Sequence, residues 1–147
     1  MKERTQIIPA CYLILFQDNK TLLLKRRNTG FQDGNYWLIS WHVNPWENLT
    51  QCMIRVAYKE WWIFLNKEDL KVVHVKNRKA NPPEKNERID IFFIASKWSW
   101  EIINNEIDKC EEIKWFDLDN LPGNTIPYIK NVLADIKNDT FYSEEGF

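Results

Sequence analysis

Short apolar runs alternate with polar turns along most of the chain, a pattern typical of a layered domain built mainly from strands. Residues 7–16 and 21–25 are two such runs, and the polar residues 17–20 between them predict a β-hairpin. A polar, proline-bearing segment, residues 77–87, separates two later runs. The other predicted strands are residues 36–39, 70–75, 88–95 and 112–116.

Two segments have helical rather than alternating spacing. Asn48 can cap the first helix, and Gln51, three residues later, completes a capping box. The second helix covers residues 126–136, with Pro127 tolerated in its first turn. The order of strands, helix, strands and helix predicts an α/β domain of the α+β layered type. The apolar stripes are Met53, Ile54, Ala57 and Trp61 in the first helix and Ile129, Val132, Leu133 and Ile136 in the second.

The first helix carries more apolar side chains than one buried face needs. Five of the eight tryptophans lie between residues 37 and 62. Val56, Tyr58 and Trp62 fall outside the apolar stripe, on arcs where a one-sided surface helix has charged residues. Two interpretations stay open, a helix buried on several faces or an exposed apolar patch that binds something. The tryptophans expected in the core are Trp37, Trp61 and Trp115, and those expected on the surface are Trp41, Trp46 and Trp62.

Composition indicates one globular domain. The chain has 147 residues, of which 44% are apolar and 28% charged, so we predict a single domain with tails at residues 1–6 and 138–147. No apolar run is long enough to span a membrane, and a cytoplasmic location is expected because no signal pattern occurs. The net charge of -1 does not favour binding to nucleic-acid polymers. Cys11, Cys52 and Cys110 are widely spaced, which favours buried reduced thiols.

The spacing of residues 41–63 resembles that of a known sequence motif. Five residues separate Trp41 from Glu47, seven separate Glu47 from Arg55, and Arg55 begins the segment RVAYKEWWI. This arrangement resembles the Nudix box, which has Gly, five residues, Glu, seven residues and then Arg-Glu-apolar-x-Glu-Glu-x-Gly-apolar. The segments GNYWL and DKCEEIKWFDLDNLP are also similar to the Nudix hydrolase family, so the resemblance extends over residues 7–136. It implies the Nudix fold, a mixed β-sheet sandwiched between helices.

The main departures from the family pattern concern its metal site. The resemblance implies hydrolysis of diphosphate-linked nucleosides with Mg²⁺ or Mn²⁺ held by glutamates at the positions of Val56, Lys59 and Glu60. Carboxylates at this spacing share one helix face and offer hard oxygen ligands, but only Glu60 is a carboxylate here. Glu47 and Arg55 match the family and are expected to support the loop and helix. Glu47 and Glu60 are therefore the residual catalytic and metal candidates, and they make a weak site.

Two family glycines are replaced by Trp41 and Trp62. Glycine at such positions supplies a positive φ or a close backbone approach, so a tryptophan there is expected to be strained. One lost charge, one reversed charge and two added aromatic rings indicate a catalytic surface overwritten with apolar side chains. We interpret the chain as an engineered or catalytically inactivated Nudix scaffold.

A second segment extends the set of candidate binding residues. Trp100, Ile103 and Ile107 stand among polar residues where turn chemistry is expected, in a region that lies near the cleft mouth of the Nudix fold. For Trp100, packing and binding both stay open. The full set of candidate binding residues is Trp41, Trp46, Val56, Tyr58, Lys59, Trp62, Trp100, Ile103 and Ile107.

The remaining titratable candidates are interpreted as structural or solvated. His42 and His74 lie in strand-like segments without a partner motif. Glu106, Glu111 and Glu112 precede or begin the last predicted strand, where some family members place a general base, and here we expect solvated carboxylates.

Three functions follow as alternatives. The first is a binding module for an apolar or aromatic small molecule or a protein partner, with no cofactor and little hydrolysis. The second is a Nudix hydrolase that binds Mg²⁺ or Mn²⁺ through Glu47, Glu60 and either Glu106 or Glu111. The third is a homodimer joined through the tryptophan patch.

Overall fold

The computed structural model of the protein describes residues 2–99 and 101–147, which form nine β-strands and two α-helices. A short 3-10 helix, Lys67–Asp69, precedes the sixth strand. In chain order the elements are β1 (Ile7–Ile14), β2 (Phe16–Gln17), β3 (Lys20–Arg26), β4 (Tyr36–Trp37), β5 (Ile39–His42), α1 (Leu49–Trp61), β6 (Leu70–Arg78), β7 (Glu87–Ala95), β8 (Cys110–Asp117), α2 (Pro127–Lys137) and β9 (Tyr142–Glu145).

The strands form two sheets. The larger sheet has the order β5-β1-β7-β6-β9 and is mixed, because β1 runs parallel to β7 and antiparallel to β5. The smaller sheet is antiparallel around β3, which pairs with β2, β4 and β8. Helix α1 packs on β1 and β5, and α2 packs on β6. The predicted α+β architecture with a mixed sheet between helices is confirmed.

Helix α1 begins as its sequence predicts. The Asn48 side chain accepts a hydrogen bond from the Gln51 backbone N–H at 2.8 Å, and the Gln51 side chain accepts one from the Asn48 N–H at 3.0 Å. These two bonds complete the capping box and satisfy donors that a helix start leaves free. The helix ends at Trp62, whose φ of 56° places it in the left-handed region.

The buried face of α1 differs from the predicted stripe. Val56 is completely buried and Ile54 is only half-buried, so the expectation that Val56 lies on an exposed binding surface was wrong. The reason is geometric: Val56 follows Cys52 by four residues and Met53 by three, and all three face the same sheet. The buried residues of α1 are Cys52, Met53, Val56, Ala57 and Trp61.

The C-terminal segment is more than a tail. Residues 142–145 form β9, which pairs in parallel with β6 from Val75 to Arg78. Lys76 of β6 forms a salt bridge of 2.8 Å with Glu145. Both ring nitrogens of His74 have partners, the Thr140 carbonyl at 2.8 Å and the Ser143 hydroxyl at 2.7 Å. His74 therefore has the structural role that its sequence context predicts.

Most of the predicted core residues are buried. Trp37 and Trp61 lie in the core, as predicted, and Trp115 packs against the core while half-buried beside Trp98, with ring centroids 6.2 Å apart. Cys11, Cys52 and Cys110 are free and buried. Within the described part of the chain, neither α-helix has the length and apolar character needed to cross a bilayer.

Candidate functional site

The start of the Nudix-like segment is held to α1 by an ion pair. Arg55 Nε lies 2.6 Å from Glu47 Oε1, and Arg55 Nη2 lies 3.1 Å from Glu47 Oε2. The Asn44 backbone N–H also donates to Glu47 Oε2 at 2.9 Å. The Arg55 guanidinium, helped by the Asn44 N–H, lowers the pKa of Glu47. Both oxygens of Glu47 are therefore engaged in holding the loop, as its predicted supporting role requires.

The helix face that would hold a divalent cation does not fit one. Val56 offers a buried hydrocarbon, and Lys59 places an exposed ammonium in the position of a second ligand. Glu60 is the remaining carboxylate of the three positions. Across residues 2–99 and 101–147, no group of three or more His, Cys, Asp or Glu side chains is arranged to bind a metal ion.

The last carbonyls of α1 are capped by the segment that leads to β8. The end of a helix leaves four carbonyl oxygens without intrahelical partners, and here donors from that segment satisfy them. The four bonds run from Asn105 Nδ2 to Lys59 O at 3.0 Å, from Asn105 N to Glu60 O at 2.9 Å, from Ile103 N to Trp61 O at 3.0 Å, and from Ser99 Oγ to Trp62 O at 3.3 Å.

This capping brings Glu106 close to Glu60. Both side chains are partly buried and line the same cleft. Burial, followed by the charge of Glu106, raises the pKa of Glu60 to about 7. Glu60 and Glu106, two of the sequence candidates for acid chemistry, are therefore brought together at the cleft.

The cleft has a volume of about 620 Å³ and an aromatic wall. Trp37 stacks on Tyr12 with a centroid separation of 5.8 Å, and Phe31 meets Trp37 edge to face at 5.6 Å. Trp41 on β5 also lines the cleft, stacked beside His42 at 5.7 Å, with 54% of its surface exposed. These rings come from β1, from the loop after β3, and from β4 and β5, so only the folded chain assembles them.

Arginines lie against this aromatic wall. The Arg26 guanidinium lies 3.8 Å from the Trp37 ring centroid and donates to the Phe31 carbonyl at 2.7 Å and to Thr29 Oγ1 at 3.0 Å. A cation over an aromatic face is attracted by the ring quadrupole. Arg78 also lines the cleft and lies 4.1 Å from the ring centroid of Tyr128, a buried core residue. The wall therefore combines ring surface with positive charge.

The second arginine group is neutralised by carboxylates. Arg78 binds Glu84 through both terminal nitrogens, at 2.7 and 3.0 Å, and binds Asp90 through Nε at 2.9 Å. Arg88 also reaches Glu84, at 2.8 Å. Glu84 belongs to the proline-bearing loop between β6 and β7, so this network fixes that loop at the cleft edge.

The candidate binding residues separate into groups. Trp41 and Lys59 line the cleft, whereas Val56 belongs to the core. Trp100 lies outside the described residues. The other candidates are exposed and lie outside the cleft lining: Trp46, Tyr58, Trp62, Ile103 and Ile107.

The two glycine-replacing tryptophans differ in conformation. Trp41 is a regular residue of β5, paired with Cys11, so the expected strain was wrongly predicted there. Trp62 has a φ of 56°, which confirms the expectation for the second position. Trp46, which replaces no family glycine, has a φ of 66° and is fully exposed.

The aromatic side chains and Arg26 that form the cleft wall were not predicted from the sequence. Phe31 and Arg26 are separated from α1 in sequence and carry no motif. The sequence offered one indication of this wall. Arg26 and Phe31 lie close together in the chain, beside the glycine-containing loop that precedes β4. Their assembly depends on the pairing of β3 with β4, between Leu24 and Trp37.

Known structures share this architecture. A MutT Nudix hydrolase from Burkholderia pseudomallei has a TM-score of 0.78 and 22% identity, covering 88% of this chain and 97% of that chain. A MutT protein from Methanosarcina mazei Go1 has a TM-score of 0.78 and 18% identity, covering 94% and 98%. The E. coli ORF135 protein has a TM-score of 0.72 and 16% identity, covering 91% of each chain. No protein-family model matches the sequence. The structural likeness shows that this chain has the Nudix fold.

Proposed function

We propose that this chain is a binding module on a Nudix scaffold, which holds an aromatic small molecule in the cleft and has little or no hydrolase activity. The observation that carries the proposal is the composition of one site. The helix face expected to hold a metal presents a core Val56 and the ammonium of Lys59, while the adjoining cleft has an aromatic wall.

The size and lining of the cleft suit a small aromatic ligand. Its volume of about 620 Å³ falls within the range of roughly 300–1,000 Å³ that is usual for small-molecule sites. Phe31 is half-buried and Trp41 half-exposed, so both have ring surface that a ligand can cover. A planar ring gains apolar burial and favourable edge or face contacts against such side chains.

The residues argue against metal-dependent hydrolysis. Glu47 is bound by Arg55 and the Asn44 N–H, which leaves Glu60 and Glu106 as the neighbouring carboxylates that line the cleft. The closeness of these two glutamates is the observation that favours the alternative of a surviving hydrolase. Two carboxylates beside the Lys59 ammonium are a poor ligand set for a hard cation.

A partner protein or a second copy is a further candidate, on a different surface. Trp46 and Trp62 adopt left-handed backbone conformations and are exposed, and Tyr58 packs against Phe64 with ring centroids 5.1 Å apart. Large exposed aromatic side chains are enriched at recognition sites. Because these residues lie outside the cleft lining, the two binding hypotheses concern separate surfaces and can be tested separately.

A neutral fluorescent dye, N-phenyl-1-naphthylamine, tests the small-molecule proposal. Trp41→Ala should weaken dye binding at least about threefold, because a large ring surface in the cleft is lost, whereas Trp46→Ala should leave it unchanged. Both residues are exposed tryptophans of one segment, so they form a matched pair. Absence of dye binding, or loss on Trp46→Ala alone, contradicts the proposal.

A second experiment separates binding from the two alternatives. Release of nucleoside monophosphate from a diphosphate-linked dinucleotide is measured with Mg²⁺, in the unmodified chain and in Glu60→Gln. Turnover that Glu60→Gln abolishes would establish the hydrolase instead. A sizing column run at several concentrations tests the homodimer, which predicts a mass that rises with concentration.

A further inference from the structure

We propose that Lys59 supplies a permanent positive charge at the cleft, so that the site selects an aromatic ligand carrying an anionic group and binds it without a divalent metal. This inference rests on the proposed function and adds the charge of the ligand to it. Its starting point is the disagreement between the residues of α1 and the metal that the fold implies.

Some of the cations that line the cleft form no salt bridge with a carboxylate. Six cationic side chains line it, and Arg55, Arg78 and Arg88 have carboxylate partners. Within the described ranges, no salt bridge is formed by the other three cations, which are Arg26, Lys59 and Lys109.

These three cations differ in how they are held. Arg26 is fixed by Trp37, Phe31 and Thr29 but meets no carboxylate. Lys109 donates to the Asn28 carbonyl at 2.6 Å. Lys59 has an exposed side chain on the last turn of α1, beside the cleft. An anion can approach a long ammonium side chain at low cost in desolvation, because both remain partly hydrated until contact.

The arrangement combines the two recognition elements that an aromatic anion needs. Trp41 and Phe31 offer ring surface, and Arg26 and Lys59 offer positive charge in the same cleft. A divalent cation would normally neutralise an anion at the carboxylates of this fold, whereas here the ammonium is part of the chain. Binding is then independent of added metal.

Glu60 and Glu106 oppose this preference. Both line the cleft, and their ionised forms repel a ligand anion. Replacement of either glutamate by glutamine should therefore strengthen anion binding, whereas replacement of Lys59 by a neutral residue should weaken it. This pair of opposed effects distinguishes a charge interaction from a general disturbance of α1.

Two dyes with the same rings test the inference. 8-Anilinonaphthalene-1-sulfonate carries a sulfonate, and N-phenyl-1-naphthylamine lacks it. Lys59→Met should weaken sulfonate binding about fivefold and leave neutral dye binding within about twofold, as expected for one partly exposed charge. Lys59→Arg should retain sulfonate binding, and Glu106→Gln should strengthen it. Saturating EDTA or millimolar Mg²⁺ should change neither dissociation constant.

The outcomes are separable from failure of the proposed function. If both dyes bind equally, or if Lys59→Met affects them equally, the charge inference is overturned while cleft binding stands. If sulfonate binding requires Mg²⁺, the metal-free inference is overturned. If neither dye responds to Trp41→Ala, the proposed function itself fails, and the inference fails with it.

Discussion

Glu60 on α1 and Glu106 in the segment before β8 face the same cleft, although 45 residues separate them in sequence. The bond from the Asn105 N–H to the Glu60 carbonyl, 2.9 Å long, fixes the two segments against each other. The result is a partly buried carboxyl group whose pKa is raised to about 7 by burial and by the neighbouring charge.

This raised pKa predicts a pH-dependent gain in stability for Glu60→Gln. Because the folded pKa of Glu60 lies above its unfolded value, the stability associated with its protonated form is complete below about pH 4.5 and is lost as pH rises through about 7. Glu60→Gln should therefore raise the free energy of unfolding by about 2 kcal/mol at pH 8 and change it little at pH 4.5, allowing for partial exposure.

Urea unfolding at the two pH values measures this effect. Glu101→Gln, at an exposed carboxylate, is the matched control and should show no such difference between pH values. An equal effect of Glu60→Gln at both values would show that Glu60 ionises as it does in the unfolded chain.

The second prediction concerns stability and follows from the left-handed backbone conformation of Trp46 and Trp62. A non-glycine residue in this region costs about 1 kcal/mol, so Trp62→Gly and Trp46→Gly should leave the free energy of unfolding unchanged or raise it by up to about 1 kcal/mol. Trp37→Ala and Trp61→Ala are buried controls and should each cost about 3–5 kcal/mol. Large losses at Trp46 and Trp62 would make them structural residues and would remove the argument for an outer recognition surface.

The core position of Val56 predicts that a glutamate at this position, as in the Nudix box, is destabilising. Val56→Glu introduces a carboxylate where the side chain is completely buried, which should cost at least about 3 kcal/mol. Lys59→Glu, at an exposed position of the same helix, should cost no more than about 1 kcal/mol, because it removes a cation from the last turn. Thermal unfolding of the two variants compares them, and equal melting temperatures would mean that Val56 is reached by solvent.

Local signals were enough to predict most elements. Asn48 and Gln51 marked the start of α1 because a capping box depends on residues three apart, and the structure has both of its bonds. Strand β9 was missed because its sequence, YSEE, has no apolar alternation; it forms through pairing with β6 and through the Lys76–Glu145 bridge. Such non-local contacts leave no pattern in the segment itself.

The candidate site was predicted only in part for the same reason. The Nudix-like spacing indicated that Lys59 occupies a position of the site, and Lys59 does line the cleft. The contact between Arg26 and Trp37 depends on pairing of β3 with β4, which sequence spacing does not specify. Val56 was wrongly placed on an exposed surface because α1 is apolar on several sides. More than one of its faces could be the buried one until the position of the sheet is known.

The most direct test of aromatic binding in the cleft is a map of backbone amide chemical shifts during titration with N-phenyl-1-naphthylamine, without metal. If the ligand binds in the cleft, the largest changes should occur at Phe31, Trp37 and Trp41, whose side chains line the cleft. Changes concentrated instead at Trp46 and Trp62, or an absence of saturable changes, would contradict the claim that the cleft is a binding site for aromatic molecules.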